Sequence, residues 1–154
     1  MAKPNPLSSV RLLSALALIA GLAFSASTAP QPVRTLPFEP DLTMHEPAYD
    51  RGERACAAHV EWWRDQGTDW PEGPALCYVI DMLLGGHNTS VYLHSFHLER
   101  LGYRLLRQRR YQLTEGTFAV SHLWATADDE PRLYFHYQLK DEELLLTVVA
   151  VGDP

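Results

Sequence analysis

The sequence predicts an α+β domain in which three short helices pack on one face of a four-stranded antiparallel meander. Two observations carry this expectation. Up to Gly102 the apolar residues recur at helical spacings, and beyond it they alternate with a period of two. The alternating segments are joined by short polar loops, which makes successive strands antiparallel neighbours. Such a sheet must cover a face with apolar material, and the helices are available for it.

In chain order, Met1 to Ala29 read as a secretory signal peptide. Lys3 and Arg11 give the positive start, Leu12 to Phe24 the apolar middle, and Ser25, Ala26, Ser27 and Ala29 the small residues before a cut. The apolar run of about 13 residues is shorter than the ~20 that a spanning helix needs. The expectation is an exported protein, periplasmic or extracellular, with no transmembrane span in the mature chain. Residues 30–46 carry Pro30, Pro32, Pro37 and Pro40 and read as an extended arm, because proline cannot donate to a ladder and pushes its predecessor toward extended backbone. Residues 47–154 are then a single domain.

Within that domain a first helix is expected from Pro47 to Gly67, with Tyr49, Cys56, Val60 and Trp63 on one face. A turn-rich stretch, Thr68 to Pro74, follows. A second helix is expected from Pro74 to Leu84, apolar nearly all round and therefore buried. A third runs from a cap at Asn88 or Thr89 to Leu101 and stops at Gly102. The strands are expected at Tyr103–Leu113, Phe118–Thr126, Arg132–Leu139 and Leu144–Val151. No internal repeat is present, and the helix-then-meander layout serves many unrelated functions.

Composition narrows the class. The chain has 154 residues, 46% of them apolar, and a formal net charge of −6. The leader holds two of the 13 basic residues and none of the 19 acidic ones, so the mature chain carries −8. That charge disfavours nucleic acid and anionic lipid as partners. The two cysteines, Cys56 and Cys77, fall on inward faces, and one disulfide between them is the simplest expectation for an exported chain.

Three groups of residues carry candidate chemistry. His87, His94 and His97 lie within eleven residues, and the last two are one helical turn apart, so they form a candidate metal cluster. The H-E-x-x-H arrangement is absent, and a histidine such as His94 on an apolar stripe is more often a hydrogen-bonded core residue. No cofactor is therefore expected. If the third hairpin sets Thr126 opposite Arg132, then His122 faces His136 and Trp124 faces Tyr134 on one open, aromatic, ionisable sheet face suited to a glycan, peptide or protein. Finally Arg100, Arg104, Arg107, Arg109 and Arg110 crowd eleven residues of an otherwise acidic chain. Arginine suits a bidentate grip on carboxylate or phosphate. Asp128–Glu130 and Asp141–Glu143 are the internal acids that would neutralise the band, and arginine on an outer strand also blocks edge-to-edge aggregation.

There is no G-x-S-x-G, phosphate loop or dinucleotide fingerprint. Asn88-Thr89-Ser90 matches a glycosylation sequon. The leading expectation is a small exported binding or adaptor protein of the cell envelope, rather than an enzyme. Its expected binding residues are Arg107, Arg109, Arg110, His122, Trp124, Tyr134 and His136, and its partner a protein, peptide or anionic envelope polymer. The alternatives are a metal-dependent hydrolytic protein using the histidine cluster and a purely structural envelope module.

Overall fold

The computed structural model describes residues 29–82, 86–114 and 117–152, so the expected leader lies outside the described residues except for Ala29. The element order is β1 (Val33–Thr35), β2 (Thr43–Asp50), α1 (Glu53–Asp65), β3 (Ala75–Ile80), α2 (His87–Arg100), β4 (Arg104–Thr114), β5 (Thr117–Ala125), β6 (Pro131–Lys140) and β7 (Glu143–Ala150). All seven strands join one antiparallel sheet in the order β1-β2-β3-β7-β6-β5-β4.

This corrects the expected fold class. Among the described residues the sheet has seven strands, not four, and two helices accompany it, not three. The expected second helix is β3. Its run Ala-Leu-Cys-Tyr-Val-Ile pairs with β7 over its whole length, Ala75 opposite Val149 through Ile80 opposite Leu144. A strand covered on both faces is apolar at every position, and periodicity alone does not separate it from a buried helix. The segment expected as an extended arm, which Phe38, Leu42 and Met44 could pin to the domain, is extended, as its prolines require, and much of it is built into the fold. β1 and β2 pair with each other, and Leu36, Leu42 and Met44 are buried. β2 also replaces the first turns expected of the first helix. Its Pro47 lies just outside the β2–β3 ladder of Ala48 to Asp50 and accepts a hydrogen bond from the Asp81 N–H (2.8 Å).

The four-strand meander and the last helix appear close to their expected bounds. α2 begins one residue before Asn88, capped by Gly86 at φ 76°, a backbone conformation that glycine adopts freely.

The helices lie on opposite faces, where one shared face was expected. Alternate residues of a strand point to opposite sides. Cys77, Ala119, Tyr134 and Val149 cluster with Cys56, Val60 and Trp63 of α1. Their neighbours Tyr78, Val120, Phe135 and Val148 cluster with Leu98 of α2 and with Leu36, Leu42 and Met44. The sheet is therefore the middle layer of three, and β6 and β7 are buried at six consecutive positions each.

The Cys56–Cys77 disulfide forms as expected, but it ties a helix to a strand because Cys77 lies on β3. No described helix is long and apolar enough to cross a membrane.

Candidate functional site

The antiparallel register decides which candidate residues meet. Ala125 pairs with Pro131 across an irregularity that shifts the β5–β6 register from the expected one. His122 consequently stands opposite Phe135, and His136 opposite Ser121. The side-chain period is two, so this slip sends His122 and His136 to different faces. The expected open aromatic face does not exist. Trp124 (1% exposed) and His122 lie in the layer under α2, and Tyr134 and His136 lie in the layer under α1, all four buried.

On the α1 side a polar rank crosses the sheet. Cys77 stands opposite Thr147, Thr147 opposite His136, His136 opposite Ser121, and Ser121 opposite Arg109. Cys77 Sγ lies 3.5 Å from Thr147 Oγ1. The His136 ring is enclosed by aromatic rings, with Trp63 at 4.3 Å, Trp70 at 4.9 Å and Tyr111 at 6.0 Å between centroids. Neither ring nitrogen of His136 has a hydrogen-bond partner among the described residues, so His136 and Ser121 are neighbours without forming a nucleophile–base pair. Burial, assisted by nearby His59, lowers the His136 pKa to about 3 and keeps the ring neutral.

The histidines of the expected metal cluster are spent on separate contacts. His94 Nδ1 and Tyr137 Oη are 2.9 Å apart in the core, and burial lowers the His94 pKa to about 3. His97 Nε2 lies 2.9 Å from the Asp41 carbonyl oxygen, and His87 rests against the Phe118 ring at 5.4 Å. Among the described residues no group of three or more metal-ligating side chains converges.

What remains open is β4. It ends the sheet and among the described residues carries no strand on its outer side. Its 11 residues contain four arginines and no acid. The β4–β5 register places Arg107, Arg109 and Tyr111 on the α1 side and Gln108, Arg110 and Gln112 on the α2 side. Arg107 and Arg109 both reach the Asp69 carboxylate, at 3.1 and 3.4 Å, so two cations share one anion. Arg104 pairs with Asp129, as the expectation of internal neutralisation had it for one of the two acidic clusters. Arg100 stacks over Phe96. Arg110 makes no ion pair with a described residue; it lines a groove of roughly 510 Å³ with Gln108, His87, Val91, Phe118 and Val120. Its positive charge, added to burial, lowers the pKa of neighbouring His122 to about 4. Leu105, Leu106 and Leu113 are exposed along the same strand.

Sequence reasoning found the arginines and missed that they define an edge. The signal was present: β4 is the one long strand that carries several charges on both faces, as an edge strand does. No family model matches this chain, and no curated protein or solved structure is significantly similar to it.

Proposed function

We propose that this protein is a small exported binding module of the cell envelope whose partner docks on β4. The carrying observation is the juxtaposition of a long outer strand with a surplus of arginine in a protein that is otherwise acidic. Surface arginines matched one to one by carboxylates contribute little. Here Arg107 and Arg109 share Asp69, and Arg110 points into a groove with no carboxylate lining it. The strand therefore presents net positive charge beside exposed leucine side chains, a combination suited to an anionic partner with some apolar surface. Export is supported by the leader-like first 29 residues and by the disulfide. The binding residues in this reading are Arg107, Arg109 and Arg110. His122, Trp124, Tyr134 and His136 support the strand from the core.

The test is affinity capture from envelope extract, with the mature protein and the variant Arg107→Ala/Arg109→Ala/Arg110→Ala as parallel baits. A component held by the first bait, released by salt and lost by the second supports the reading. Identical retention on both baits sinks it.

A further inference from the structure

Building on the β4 docking reading, we infer that the partner is an extended acidic polypeptide segment that adds to β4 as an eighth strand of the sheet. Three observations point there. First, β4 offers a row of backbone N–H and C=O groups on its outer side over 11 residues, whereas the opposite edge, β1, is three residues long. Only another extended main chain can satisfy such a row in register; a polysaccharide or polyphosphate meets the arginine side chains and leaves the backbone to water. Second, charge selects the occupant. β4 has no acidic residue, so a second copy of β4 would bring arginine toward arginine, which is destabilising across a ladder. A segment with carboxylates meets Arg107 and Arg109 on the α1 side and Arg110 on the α2 side.

Third, a seat for side chains lies beside the strand. The groove of roughly 510 Å³ on the α2 side has Gln108 and Arg110 of β4 along one wall and Val91, Phe118 and Val120 as apolar lining. In strand addition the main chain supplies affinity, and pockets for alternate side chains supply selectivity. A glutamate side chain fits this seat, its methylenes on the apolar lining and its carboxylate toward the Arg110 guanidinium. Leu105, Leu106 and Leu113 give further apolar contact along the strand.

The experiment measures fluorescence anisotropy of three probes with the mature protein at low salt. One probe is a synthetic peptide of repeating Glu-Glu-Thr-Thr, about as long as β4, which puts carboxylates on both faces of the extended chain. The second is the same peptide with every backbone nitrogen methylated, which keeps the charge and blocks both hydrogen-bonding edges. The third is a sulfated polysaccharide. The inference expects binding of the first peptide, weakening with salt. It expects a loss of at least about a hundredfold for the methylated peptide, whose roughly five nitrogens facing β4 no longer donate. It also expects weaker binding of the first peptide to Arg110→Ala, a variant that breaks no ion pair among the described residues. Equal affinity for the two peptides, or a polysaccharide that binds as tightly as the first, overturns strand addition while leaving charge-guided docking on β4 standing. No binding by any anionic probe overturns both.

Discussion

Trp63 Nε1 donates to Gln138 Oε1 at 3.0 Å, linking the last turns of α1 to β6 in a layer where both side chains are buried. This bond fixes the large indole of α1 over the sheet, and Val60 and the disulfide hold the rest of the helix. Replacing Gln138 by Leu leaves a buried indole N–H without a partner and should cost about 1–3 kcal/mol. Trp63→Ala should cost more, about 3–5 kcal/mol, through the cavity it opens. The double variant should lose less than the sum of the two in denaturant titrations, since both remove the same contact. Strict additivity would contradict the coupling.

Reduction of Cys56–Cys77 should lower the thermal midpoint. The bridge spans a sequence separation of 21 and contributes about 3 kcal/mol by restricting the unfolded chain. An unchanged midpoint on adding reductant, with two thiols titrating in the untreated protein, would rule out the bridge.

Stability should fall on acidification. His94 and His136 are buried and neutral, each lowered to about 3, chiefly by burial. In the unfolded chain each takes up a proton near pH 6.5, while the native protein does not until about pH 3. Their contribution is therefore complete above about pH 6.5 and drains away as the pH drops toward the native values. Between those limits the two together should remove roughly 3 kcal/mol per pH unit. Thermal midpoints followed from about pH 7 to about pH 4 should drop steeply. A flat profile would contradict the neutral, desolvated state of both rings.

Gly73 has φ 144°, and a Cβ there would overlap the carbonyl oxygen of Ala150. Its neighbour Pro74 accepts the Ala150 N–H at 3.0 Å, so the close approach starts the β3–β7 ladder. Gly73→Ala should cost at least about 2 kcal/mol from backbone strain and the displaced strand end. A variant as stable as the parent would show that the loop relaxes freely.

The meander was legible because short polar turns separate β4 to β7, and α2 because Gly86 and Gly102 frame it. β3 was illegible because burial on both faces erases alternation, leaving Leu-Cys-Tyr-Val-Ile to read as helix. β1 and β2 were hidden by prolines, whose extended preference is shared by free arms and by irregular strands near a sheet edge. The arginine band could be seen in the sequence, but its meaning depended on β4 ending the sheet. The histidine faces depended on a one-residue shift between Trp124 and Ala125 that composition does not announce.

The most direct test of β4 as the docking strand is site-specific photocrosslinking in the cell. A photoreactive residue is placed at exposed Leu106 on β4 and, as the control, at exposed Glu61 on α1. The account predicts a discrete adduct from position 106, absent from position 61 and lost when Arg107, Arg109 and Arg110 are changed to alanine. An adduct from position 61 alone, or one at position 106 that survives loss of the three arginines, would contradict it.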